Sequence, residues 1–104
     1  MKKEIKDSVQ THNAVVKESI ADRIVKDARG LLIVQNNDRQ YQKGDLLTFT
    51  VEEDGIGLEN VFHALKTQVY KISGVYSGRG IEPGYVALLI DYFGPNKENK
   101  YSDD

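Results

Sequence analysis

The chain has 104 residues, 39% of them hydrophobic and 29% charged, which fits one domain with one modest core. It contains no cysteine, which removes disulfides, zinc knuckles and thiol nucleophiles together. Fourteen basic against sixteen acidic side chains leave a net charge of -2, without the basic excess of a duplex-DNA binder.

The longest apolar runs, residues 31–34 and 86–90, fall far short of the roughly 20 residues that a membrane-spanning helix needs. The charged start, Met1-Lys2-Lys3-Glu4-Ile5-Lys6-Asp7, has no apolar stretch behind it and does not read as a signal peptide, so a cytoplasmic protein is expected. Residues 1–10 read as a polar arm, 11–94 as the domain and 95–104 as a disordered polar tail. Setting aside the tail leaves 12 basic against 13 acidic residues, so the near-neutral balance belongs to the domain itself.

Within the domain the order reads β-α-β-β-β-β. Asn13-Ala14-Val15-Val16-Lys17 is a short strand. Ile20, Ala21, Ile24, Val25 and Ala28 recur at intervals of three and four residues, which predicts an amphipathic helix over about residues 18–29. Ser19-Ile20-Ala21-Asp22 has the form of a capping box, Lys26 and Arg29 suit the negative end of the helix dipole, and Gly30 suits the left-handed residue after it. Residues 31–35 are short and continuously apolar up to Gln35, which reads as a buried strand ended by the turn formers Asn36-Asn37-Asp38.

Gly44-Asp45 opens the next strand, where Leu47, Phe49 and Val51 share one face and Thr48 and Thr50 the other. Residues 58–66 fit either a helical stripe or a strand; the expected strand runs from about Phe62 to Tyr76, with room for one helical turn before it. Ser77-Gly78-Arg79-Gly80 and Pro83-Gly84 bracket a loop, and the last strand, from Tyr85 to Phe93, is apolar on both faces and therefore expected in the middle of the sheet. One helix with five or six hairpin-connected strands is an α+β, mostly β chain of small-barrel type, the helix capping one end.

Few residues offer chemistry. His12 and His63 lie 51 positions apart with no acidic pair at ligand spacing, so both read as ordinary histidines and no metal is expected. No serine has an evident base partner, and no cofactor motif occurs. Gly78-Arg79-Gly80 lacks the lysine and helix start of a phosphate loop. The plain reading is a turn; the functional one is an arginine presented to an anion or a base, with Tyr76 and Tyr85 on either side to stack. For Asn36-Asn37-Asp38-Arg39-Gln40-Tyr41 the plain reading is a turn in which Arg39 pairs with Asp38 or Asp45.

Asn37-Asp38-Arg39-Gln40-Tyr41-Gln42-Lys43-Gly44-Asp45 resembles the N-D-R-x-[FY]-x-x-G-D signature of small PUA-like, ASCH-related proteins, a family with an uncharacterised branch common in phages and prophages. Gly80-Ile81-Glu82-Pro83-Gly84-Tyr85 is similar to the G-I-E-P-G-Y entry to that branch's last strand, and Thr11-His12 to its Thr-His before strand one. The resemblance covers residues 11–93 and implies a PUA-like pseudobarrel.

ASCH domains carry G-x-K-x-x-E-x-R before the Asn-Asp-Arg turn, lining the cleft between helix and barrel. At the lysine, glutamate and arginine positions this chain has Gly30, Ile33 and Gln35. Relatives that hydrolyse acetylated cytidine use a threonine, whose position also falls at Ile33, and an isoleucine is neither nucleophile nor base.

The resemblance therefore implies no enzyme but a binding module for RNA or a nucleotide-like ligand, through Asn37, Arg39, Tyr41, Tyr76, Arg79 and Tyr85. The alternative is a mobile-element interaction protein that binds and modulates a host or phage protein on the same scaffold. A basic groove lined by tyrosines favours nucleic acid, and an exposed apolar patch favours a protein partner.

Overall fold

A computed structural model describes residues 9–27 and 31–97, apart from the side chain of Asp38. In chain order it contains β1 (Thr11–Lys17), α1 (Glu18–Lys26), β2 (Leu31–Asn36), β3 (Leu46–Glu52), β4 (Gln68–Tyr76) and β5 (Tyr85–Pro95). The strands form one curled sheet, a half-barrel, in the order β1-β3-β4-β5-β2. β1 runs parallel to β3, and every other pairing is antiparallel.

Alternation decides which side chains enter the concave face. His12, Ala14 and Val16 of β1 and Leu47, Phe49 and Val51 of β3 are buried at every second position. Tyr70 and Ile72 of β4 and Val86, Leu88 and Ile90 of β5 complete the core, with Phe49 meeting Tyr70 edge-on at 5.8 Å. α1 closes one end by seating Ala21 and Ile24, both fully buried, beside Leu65 of the 3-10 turn Ala64–Thr67. The Tyr70 hydroxyl donates to Gln68 Oε1 at 2.7 Å; burial and the neighbouring Tyr92 push its pKa up to about 12.

Several local expectations need correction. The Ser19 capping box does not form: the helix starts at Glu18, Lys17 at the N-cap makes no side-chain bond, and the Ser19 N–H donates to Asp54 Oδ1 at 3.5 Å. The cap thus comes from the turn after β3, a partner that a local motif search does not find. Ala28, Arg29 and Gly30 lie outside the described residues.

β4 begins at Gln68 and not near Phe62, because residues 64–67 coil into the 3-10 turn, at whose start His63 Nδ1 accepts the Leu65 N–H at 3.1 Å. The proton of that ring is then on Nε2, which donates to Asp22 Oδ1 at 2.7 Å and ties the turn to α1. β5 runs to Pro95, opposite Gln68, and the Asn96 N–H donates to the Thr67 carbonyl at 2.8 Å. The sheet therefore extends past the expected boundary at residue 94.

β2 differs most. Its continuous apolar run reads as burial on both faces, yet among the described residues it is an edge strand that pairs with β5 alone. Ile33 enters the core at 6% exposure, while Leu32 and Val34 point outward at 56% and 59%.

Candidate functional site

The registers place all six residues singled out in the sequence at one end of the sheet, opposite α1. Asn36 at the end of β2 faces Tyr85 at the start of β5, and Tyr76 at the end of β4 faces Ala87. The Asn37 N–H donates to the Gly84 carbonyl at 2.9 Å, so the two long motifs meet there. Gly84 sits at φ 87°, a backbone that side chains rarely adopt, which lets the chain turn straight into β5. Arg79 lies exposed in the loop between β4 and β5, whose turn is closed by the Ile81 N–H donating to the Gly78 carbonyl at 2.9 Å.

The six residues do not share one surface. Tyr76 and Tyr85 lie diagonally on the convex face, two partly exposed rings on one open sheet. Tyr76 folds back over Gly74, so closely that a Cβ there would lie 2.5 Å from its hydroxyl. Tyr41 is 6% exposed and meets His12 edge-on at 4.9 Å, so it offers no open face to a base. Arg39 is exposed beside Asn36 and Tyr41 at the mouth of a small cavity of about 150 Å³.

His12, read from the sequence as ordinary, is the centre of a buried polar joint. Its Nε2 lies 2.8 Å from Asp45 Oδ2; Asp45 also accepts the Gln42 N–H on Oδ2 and the Gln10 N–H on Oδ1, each at 3.3 Å. Thr11-His12 and Gly44-Asp45, distant in the chain, thus join the entry of β1 to the entry of β3. The signal was present in the two motifs, but nothing in their spacing links them. No cluster of three or more histidine, cysteine or carboxylate ligands occurs among the described residues.

The convex face divides into two chemically different halves. On β1 and β3 it is polar: Asn13 donates to Thr48 Oγ1 at 3.0 Å and accepts from Thr50 Oγ1 at 2.8 Å. On β2 and the adjoining stretch of β5 it is apolar: Leu32 lies beside Leu89 and Val34 beside Ala87, with Tyr76 of β4 on the far side of Ala87, whereas Lys71, Ser73 and Asp91 make it polar towards the α1 end of β4 and β5. No helix covers this half among the described residues, although an open antiparallel face is ordinarily polar.

The apolar half ends at a slot between the free edges of β1 and β2. A cavity of about 370 Å³ opens there, floored by Val16 and Ile33, with Val15, Leu32 and Val34 on its rim and Lys17 and Arg23 at the α1 end. The smaller cavity beside Arg39 shares Val15 and Gln35 with it, so the two cavities adjoin along the edges. Sequence reading missed this slot because the apolarity of residues 31–34 signals contact without saying whether the contact is inside the chain.

Ile33, where the resemblance to ASCH domains led to the expectation of a lost glutamate, is a core side chain, and Gln35 is a half-buried amide. Fold and site together define a mostly β half-barrel with one helix and an apolar seam. No protein-family model matches the chain, and no curated protein sequence matches it.

Proposed function

We propose that the protein is a non-catalytic, PUA-like binding module whose partner is another protein, held on the apolar half of the convex face and the adjoining slot. The observation that carries this reading is the apolar patch made by the exposed Leu32, Val34 and Tyr76 with the half-buried Leu89, Ala87 lying buried between them. An exposed patch of this kind marks an interaction surface. The cavity beside α1 is lined mainly by aliphatic side chains, Val16, Ile20 and Ile33 among them, with Lys17 and Arg23 at one end, which suits an apolar segment better than acid–base chemistry. A mobile-element protein that modulates a host or phage protein fits these features.

The test is capture with the tagged chain and with a Leu32→Lys, Val34→Lys double variant. A nuclease-resistant, stoichiometric protein is expected, lost in the double variant and retained by Arg79→Ala. Recovery of RNA alone, or of a protein indifferent to the double variant, overturns the reading.

RNA or a nucleotide-like ligand is the second reading, favoured by one observation: Tyr76 and Tyr85 present two rings on the same open face, with Arg79 in the loop between their strands. Tyrosine-to-alanine changes there then weaken binding by roughly 1–3 kcal/mol per stacked base. Arg79→Ala lowers the salt dependence by about one unit.

A further inference from the structure

We infer that the slot between β1 and β2 receives an extended segment of the partner as an added strand, with an acidic side chain at the end bordered by Lys17 and Arg23. This rests on the protein-partner reading above and names what that partner must present.

Among the described residues, each bordering strand has a hydrogen-bonded neighbour on one side only, β3 for β1 and β5 for β2. The free side of an edge strand presents a row of unpaired N–H and carbonyl groups, a template for one more strand. The pairings fix the relative sense of the two edges. β1 and β3 run one way, β4 the other, β5 back again, and β2 opposite to β5, so β1 and β2 are antiparallel. A segment between them pairs in parallel with one edge and antiparallel with the other, whichever way it runs. The six residues of β2 offer it about 20 Å of edge.

Side-chain chemistry follows from the same alternation. Residues of the segment that point inward lie over Val16 and Ile33, and those that point outward lie between Val15 on one edge and Leu32 and Val34 on the other. Both rows call for aliphatic side chains. At the α1 end the groove becomes cationic. Lys17 shares its charge with Glu52 at 3.2 Å, but the Arg23 guanidinium has no carboxylate partner among the described residues. A carboxylate on the incoming segment supplies one, and a basic residue there meets repulsion. Main-chain pairing gives such docking its affinity, and the flanking pockets and charge give it specificity.

The experiment is selection of a displayed library of random decapeptides on the purified chain, followed by synthesis of the enriched peptides. Enrichment of aliphatic-rich extended sequences with an acidic residue near one end is expected, along with slowed amide exchange in residues 13–17 and 31–36 when they bind. Methylation of alternate peptide nitrogens weakens them at least tenfold, and Arg23→Glu weakens them to a similar extent while selecting basic ends instead.

Enriched peptides that bind the slot yet tolerate N-methylation, or keep their preference in Arg23→Glu, overturn strand addition and leave the protein-partner reading standing. Failure to enrich any peptide sensitive to Val34→Lys overturns this inference. If the partner captured by the full chain also ignores the Leu32→Lys, Val34→Lys double variant, the reading beneath it falls as well.

Discussion

The His12 ring and the Asp45 carboxylate share a buried hydrogen bond of 2.8 Å across 33 residues of chain, and each residue is only 8% exposed. Gly44, at φ 98°, supplies the turn that brings Asp45 to this point, and the Asp45 carbonyl then accepts the Ile72 N–H at 2.9 Å. One aspartate therefore fixes the entries of β1 and β3 and, through its backbone, the neighbouring β4.

Asp45→Ala removes the acceptor for the His12 ring and for the N–H groups of Gln10 and Gln42. A loss of about 2–4 kcal/mol is expected, since buried donors left without partners bear their full desolvation cost. Asp45→Asn keeps one acceptor oxygen and should lose clearly less. Urea denaturation of the two variants measures the difference, and equal losses would show that the acceptors contribute nothing individually.

Neighbouring positions on β2 should respond oppositely to the same charge. Ile33→Glu places a carboxylate at a position only 6% exposed among core side chains and should cost several kcal/mol. Val34→Glu points outward from an edge and should change stability by about 0.5 kcal/mol or less. Thermal melts of the pair decide it: similar midpoints would mean that the strand is rotated or slipped by one residue.

Tyr70 gives the chain an alkaline limit. Its pKa is raised in the folded state, from 10.0 to about 12, so its contribution is complete below pH 10 and is lost as pH rises towards 12. The loss is about 2–3 kcal/mol when complete. Tyr70→Phe removes this pH dependence and also the hydrogen bond to Gln68, so it should be less stable at neutral pH and flatter above pH 10. Urea midpoints at a series of alkaline pH values test both features, and parallel profiles for the two proteins would contradict the assignment.

The end of β5 provides a truncation test. A chain stopping at Gly94 loses the Pro95 pairing with Gln68 and both Asn96 bonds, from its N–H to the Thr67 carbonyl at 2.8 Å and from Nδ2 to the Lys66 carbonyl at 3.2 Å. It should be about 1–2 kcal/mol less stable than a chain stopping at Asn96, at roughly 1 kcal/mol per net hydrogen bond. Equal melting temperatures would restore the boundary at residue 94.

Sequence patterning located what depends on one element at a time. The alternation of Leu47, Phe49 and Val51, the helical spacing of Ile20, Ala21 and Ile24, and the double-sided apolarity of β5 all reflect burial within a strand or helix, and they led to a mostly β chain with one helix. Facts that need two distant segments were not legible. Asp54 caps α1, Asp45 seats His12, and His63 joins its turn to Asp22, yet none of these pairs has a spacing that a motif could register.

The slot belongs to the same group. Leu32 and Ile33 are adjacent and equally apolar, and only the sheet order shows that one faces the core and the other the surface. Tyr41 was legible as an aromatic in a polar turn but not as a ring turned inward onto His12.

The two strands that border the seam are consecutive in the chain, with α1 between them, so the seam has the layout of a clothes-peg with the helix at its closed end. At its end the jaws are tethered by the chain itself; some 20 Å away, where Asn13 and Asn36 stand, no covalent crossing holds them. The tethered end is also the packed one, where Ala21 and Ile24 are fully buried beside Leu65.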